Sequence, residues 1–206
     1  MSTRARELIY SPIEHVVGFA VPNDAALGIL AAHAPLVEVG AGTGYWSAVL
    51  RQRGVDIVAY DSDPPSQDLT NHFFYHFSFC EVLKGDGAKL FTEHPGLAVR
   101  TLVLIWPNNA DAVDNPKHAI GPEAQGHRIW DADCLQSYLD AGGGKVVFIG
   151  ERESQIAVVD AAAKDSGLNA SRRFQAMLTK YFRLEKQVPI PQWLHAKDDL
   201  TVWVKQ

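Results

Sequence analysis

Glu38, Gly40, Gly42, Gly44 and Asp61 have residue types and spacing that can do chemistry. Three glycines at alternate positions let the backbone take positive φ and keep side chains away from whatever approaches it. A ligand can then lie directly on the main chain, at the N-terminus of the helix that follows. The elements around them fit that task. Leu36-Val37-Glu38-Val39 reads as a short buried strand, and Tyr45-Trp46-Ser47 opens a helix. Val55 to Tyr60 reads as a second strand with Asp61 at its end. A glycine turn, a helix, a strand and a terminal acid make a nucleoside-binding βαβ unit, in which the acid accepts hydrogen bonds from two ribose hydroxyls.

Spacing separates the ligand classes that use this layout. The dinucleotide fingerprint is G-x-G-x-x-G; counted from Gly40, its third glycine falls on Tyr45. The pattern here is E-x-G-x-G-x-G, from Glu38 to Gly44. It resembles motif I of the class I S-adenosylmethionine (SAM)-dependent methyltransferases. That resemblance implies SAM as cofactor, cradled at its methionine portion by Gly40, Ala41, Gly42, Thr43, Gly44 and Tyr45. It implies that Glu38 steers the amino end and that Asp61, with Ser62 beside it, holds the ribose. Asp86, followed by Gly87, carries over to the acid after the third strand that sits beside the adenine amino group; Trp106 at the end of strand four completes the expected cofactor contacts. The activity implied is methyl transfer to an unidentified acceptor, a small molecule or a protein side chain. Two alternatives stand beside it. One is a SAM-binding module without turnover. The other is a nicotinamide oxidoreductase, disfavoured by Tyr45 and by the lack of a Tyr-x-x-x-Lys pair.

Acceptor-side residues in an open α/β sheet come from the carboxyl ends of the strands. Trp106-Pro107-Asn108-Asn109 stands after strand four. Many amino-methyltransferases carry Asp/Asn-Pro-Pro-aromatic there. Tryptophan before the proline and asparagine after it depart from that pattern and put N-methylation of a base or amide in doubt. Asn108 and Asn109 are candidates to orient an acceptor, against a plain turn that stops a buried strand. His76 is a candidate base. With His72, four residues earlier, it lacks a third partner at metal-ligand spacing, so no metal is expected. Phe73, Phe74, Tyr75, Phe77 and Phe79 either wall a pocket or belong to the core. Glu151 is a site acid or a helix N-terminal charge, and Arg172, Arg173, Lys180, Arg183 and Lys186 read as a solvated face.

The whole chain bounds these readings. Its 206 residues suit one domain, covering 1–206, with an apolar fraction of 47% and a charged fraction of 21%. A formal net charge of −5 argues against nonspecific nucleic-acid coating, which needs a basic surface. Cys80 and Cys134 are far apart and read as free thiols of a reducing compartment; with no long apolar run, a cytoplasmic enzyme without membrane partners is the expectation. Residues 1–20 are too apolar for a free tail and are expected to pack on the domain or lid the site. Helices are expected at 22–33, 45–53, 88–94, 131–141 and 154–166, and strands at 81–84, 100–106, 145–149, in the latter part of 174–187, and at 200–204. Between them, residues 110–128 form a long polar loop. Alternation of strands and helices gives a parallel sheet covered on both faces. The last two strands have no helix between them, so the final one runs antiparallel. The expected fold is therefore α/β and Rossmann-like, seven-stranded, with the resemblance covering residue 22 to the end.

Overall fold

The structure is a computed structural model. It describes residues 13, 16–65, 77–107, 130–152, 169–193 and 197–206. Helix α1 (Asp24–Ala32) starts where Asn23, in an extended conformation, accepts the Ala26 amide on its side chain at 2.8 Å. Strand β1 (Leu36–Val39) leads into the glycine turn, and α2 (Tyr45–Gln52) leaves it. Then come β2 (Ile57–Asp61), the two-residue β3 (Leu83–Lys84), α3 (Leu90–Glu93) and a 3₁₀ turn (Pro95–Val99). After β4 (Thr101–Ile105) follow α4 (Asp131–Asp140), β5 (Lys145–Gly150), α5 (Arg172–Tyr181), β6 (Phe182–Pro189) and β7 (Asp199–Lys205).

The seven strands form one sheet in the order β3-β2-β1-β4-β5-β7-β6. β1 to β5 pair parallel, and β7 runs antiparallel between β5 and β6. This is the mostly parallel, Rossmann-like sheet with a reversed last strand that the sequence implies. Strand order reverses between β1 and β4, which is where the carboxyl ends of an open sheet form a crevice.

The period of two along the central strands divides the core. Val37, Val39, Leu102, Leu104, Val146 and Phe148 face α3, α4 and α5, meeting Leu90, Leu135 and Phe174. Leu36, Val103, Val147, Ile149 and Val202 face the other way, onto Leu27 and Leu30 of α1 and Trp46 and Leu50 of α2. Burying a leucine or phenylalanine fully contributes about 1.5–3 kcal/mol, so these two layers hold the carboxyl edge rigid. A buried polar clamp joins two helices on the first face. Asp131 accepts from the amide and the hydroxyl of Ser171 at 2.6 and 2.7 Å, tying the start of α4 to the start of α5. Edge strand β6 is mostly exposed and carries Arg183, Glu185 and Lys186, charges that discourage edge-to-edge pairing.

Several expected elements are redrawn. The third strand is shorter than 81–84, and the expected helix at 88–94 is one turn, because Pro95 and Gly96 divert the chain into 3₁₀ geometry. Trp106 is not the end of β4: it turns to φ +48 one residue past the strand. The residues expected helical at 154–166 and the loop 110–128 lie outside the described residues. Of the N-terminal segment, Ala20 is buried and its carbonyl accepts the Trp46 indole N–H at 3.1 Å. The same segment stacks Phe19 on Trp106 at 5.4 Å.

Candidate functional site

The glycine turn is held open by its own backbone. Gly40, Gly42 and Gly44 take φ of +75, +53 and +70, the left-handed region that only glycine enters without strain. The amides of Gly40 and Ala41 both donate to the Tyr60 carbonyl on β2, at 2.8 and 3.0 Å. Gly44 donates back to Ala41 and then serves as the N-cap of α2, offering no side chain to the helix start. The amides of the first turn of α2, from Tyr45 on, have no intrahelical partner and face the turn with the positive end of the helix dipole.

Space explains the glycines as well as φ does. A Cβ on Gly40 would stand 2.8 Å from the Trp130 ring, and one on Gly87 2.5 Å from it. A Cβ on Gly44 would meet Val82 and Cys80 at 2.8 and 2.9 Å. The Trp130 indole therefore bridges the turns after β1 and β3, and residues 79–82 pack beneath the start of α2. Phe79 donates its amide to the Thr43 carbonyl at 2.8 Å, and its ring meets Tyr45 edge-on at 4.9 Å.

Two carboxylates underlie the turn. Asp61 accepts the Gly42 amide at 2.8 Å on one oxygen and the Asp63 amide at 2.9 Å on the other. Burial raises its pKa above the usual carboxylate value, and those two amides oppose the rise. Each oxygen keeps a second lone pair, so the group can still accept from a ligand hydroxyl. Glu38 is buried and accepts the Ser47 hydroxyl of α2. Burial pushes its carboxyl up to about 7, against the Ser47 bond and the Arg51 charge, with the nearby Asp61 adding to the rise. Glu38 thus fastens α2 to β1. Asp86 is exposed and accepts the Ala88 amide at 3.0 Å, at the mouth of the turn after β3.

The other half of the carboxyl edge is lined by β4, β5 and β7. Trp106 lies level with the glycine turn on the neighbouring strand, since Glu38 pairs with Val103, and its amide donates to the Ile149 carbonyl at 3.0 Å. Glu151 is buried: its amide donates to the Asn169 side chain at 2.9 Å, and its carboxylate accepts the Lys197 amide at 2.7 Å. Asp199 pairs with Arg152 through two bonds of 3.3 and 2.8 Å. Asp198, 1% exposed, accepts Asn169 Nδ2 on one oxygen at 3.2 Å. Burial above all, with Glu151 and Asp199 adding to it, lifts the Asp198 carboxyl to about 7, against hydrogen bonds from the Trp106 and Asn169 side chains.

The structure brings together Glu38, Gly40, Ala41, Gly42, Thr43, Gly44, Tyr45, Asp61 and Ser62 around one turn, with Asp86 and Gly87 beside it and Trp106 across the switch point. Asn108, Asn109, His72 and His76 lie outside the described residues, as do Phe73, Phe74 and Tyr75. Phe77 and Phe79 are not core: they are 51% and 37% exposed. Arg172, Arg173, Lys180, Arg183 and Lys186 are exposed, as a solvated face requires. Sequence reasoning missed Trp130, Asn169 and Asp198. Trp130 had a readable signal, a large aromatic just ahead of the helix that returns from strand four to the switch point. Asn169 and Asp198 had none, because their roles depend on partners 18 and 29 positions away and on tertiary burial. Among the described residues no group of three or more His, Cys, Asp or Glu could hold a metal, and no helix is long and apolar enough to cross a membrane.

No family model and no curated protein sequence matches the chain. Solved structures do. Magnesium protoporphyrin IX methyltransferase (ChlM) from Synechocystis PCC 6803 with bound SAM is 12% identical, over 89% of this chain and 77% of that one, with a TM-score of 0.47. Burkholderia thailandensis 1,6-didemethyltoxoflavin-N1-methyltransferase, bound to 1,6-didemethyltoxoflavin and S-adenosylhomocysteine (SAH), is 17% identical over 89% and 77%, at 0.48. The glycopeptide N-methyltransferase MtfA with SAM is 12% identical over 93% and 97%, at 0.48.

Proposed function

We propose that this protein is a SAM-dependent methyltransferase acting on an acceptor that enters beside Trp106. The observation that carries the reading is the turn itself. Three left-handed glycines sit at the strand-order switch point, and the acid at the end of β2 is hydrogen-bonded to the middle one. SAM supplies an electrophilic methyl group on a sulfonium when bound. The cradle fits such a ligand, because Gly40, Gly42 and Gly44 leave main chain bare where any Cβ would strain or collide.

In this reading the amides at the start of α2 and the bare turn bind the methionine portion. Glu38 acts through Ser47, holding α2 in place rather than touching the ligand. Asp61 takes the ribose hydroxyls on its remaining lone pairs, with Ser62 alongside. Asp86, Gly87 and the Trp130 indole bound the adenine end. Binding there aligns the acceptor with the methyl group, and such alignment is worth several kcal/mol of the barrier. Tyr45 stands at the first helical position, where a dinucleotide turn carries its third glycine, so a pyrophosphate is not accommodated by that motif.

The test is binding linkage. SAM or SAH at 100 times its Kd should stabilise the fold by about 2.7 kcal/mol, read as a rise in Tm, while NAD leaves Tm unchanged. Stabilisation by NAD and not by SAH rejects the reading. Binding of SAM with no labelled methyl passing to any acceptor pool would favour a binding module without turnover.

A further inference from the structure

The six-membered ring of the Trp130 indole is wedged between two glycines. A Cβ on Gly40 would stand 2.8 and 2.9 Å from its Cζ2 and Cη2, and one on Gly87 would stand 2.5 and 2.8 Å from its Cε3 and Cζ3. Gly40 needs to be glycine for its φ of +75 in any case. Gly87 does not, since it is not among the glycines with positive φ. Space alone explains it: the notch between the two turns has the shape of a flat ring seen edge-on.

Two flat bicyclic rings have a claim on that notch. In the methyltransferase reading the adenine offers its amino group to Asp86, which is exposed and accepts the Ala88 amide on one oxygen at 3.0 Å, leaving the other. An adenine placed there lies against Gly87, the next residue in the chain. Gly87 is buried, and the Trp130 ring is what covers it. The bare main chain that would receive the adenine is therefore covered by a ring of similar size and shape.

The ring is held in a way that lets it leave. Its main chain is fixed, because the Trp130 carbonyl accepts the Cys134 amide at 2.8 Å and the next residue, Asp131, is clamped to Ser171 by bonds of 2.6 and 2.7 Å. The side chain is only half-buried, and its indole N–H makes no hydrogen bond to a described residue. Packing contact alone keeps it in the notch. Rotation about its side-chain torsions carries the ring toward solvent without moving α4.

We propose that Trp130 is a gate on the cofactor site, an inference that rests on the methyltransferase reading. Indole and adenine exclude each other from the notch, and the cofactor binds when the ring rotates out. The conformation described here is the closed one. The apparent affinity for SAM or SAH is then the intrinsic affinity multiplied by the fraction of molecules with the ring out. A tryptophan that stacked on the adenine would have the opposite sign: it would add affinity, whereas a competing ring subtracts it.

The experiment is calorimetric titration of SAH into the wild type and Trp130→Ala. The variant should bind at least about fivefold tighter, the factor gained when a ring closed in four-fifths of molecules is removed. A second readout serves if the alanine variant does not fold. Acrylamide quenching of the Trp130 fluorescence, isolated from that of the other four of the five tryptophans by difference from Trp130→Phe, should rise when SAH binds. The gate is overturned if SAH binds Trp130→Ala no tighter than the wild type, or if SAH leaves Trp130 as shielded from acrylamide as before. In both of those results SAH still binds. Failure of SAH to bind either protein is a different result: it overturns the methyltransferase reading, and the gate falls with it.

Discussion

On the β1–β2 side of the carboxyl edge, the groups that would face a ligand are main-chain amides and bare glycine, with Asp61 pinned to two of those amides. On the β4–β5–β7 side they are side chains: Trp106, Glu151, Asn169 and Asp198, drawn from four separate segments. The first half is satisfied internally except where a helix start leaves amides open. The second keeps a buried carboxyl lifted to about 7. A backbone-built cradle suits a ligand common to many enzymes, and a side-chain-built one can be retuned by single substitutions. The difference teaches where constancy and variation are expected in this molecule.

The harshest way to break that contrast is Gly40→Val. Its side chain would collide with Trp130 and force φ +75 on a β-branched residue. SAH affinity should fall about 100-fold or more, roughly 3 kcal/mol at 1.4 kcal/mol per decade, measured by calorimetry; retained affinity would mean the turn is not the cradle. Next is Arg152→Met, which leaves the buried Asp199 without its ion pair. The expected cost is about 3 kcal/mol in urea unfolding, with the SAH Kd unchanged within about twofold. A parallel fall in SAH affinity would show the halves to be coupled.

Glu38→Gln sharpens the contrast through pH. The native carboxyl keeps its proton up to about 7, whereas in the unfolded chain it is lost near 4.5, the ordinary value for a glutamate. The native state binds more protons in that window, so stability falls as pH rises through it. Between pH 5 and 8 the glutamine variant should lose about 2 kcal/mol less than the wild type. Asp198 titrates over an overlapping range, so part of the slope persists; equal slopes in both proteins would remove the assignment. The smallest effect belongs to Asp61→Asn. Alanine here would release both the Gly42 and Asp63 amides, whereas asparagine keeps an acceptor for one of them. SAH should bind about tenfold more weakly, or about 1.4 kcal/mol, and the free protein should lose about 1 kcal/mol, because the asparagine amino group faces one of the two amide donors.

The sequence by itself determined the strands and the glycine turn with its acid. Near-continuous apolar runs in 36–39, 101–105 and 145–150 declare strands buried on both faces, and glycine's conformational freedom and a strand-end acid are properties of residue type at fixed spacing. Those are local signals, so they survive without a partner in view. Boundaries near Pro95 and at Trp106 were less legible, because a 3₁₀ turn and a left-handed tryptophan answer to packing rather than to propensity. Only the tertiary structure decided that Trp130 would bridge two turns, that Asn169 would stand between Glu151 and Asp198, and that an aspartate one residue before the last strand would be buried. Burial and the pairing of buried polar groups are collective quantities. They depend on what the rest of the chain brings close, and no residue type or spacing encodes them alone.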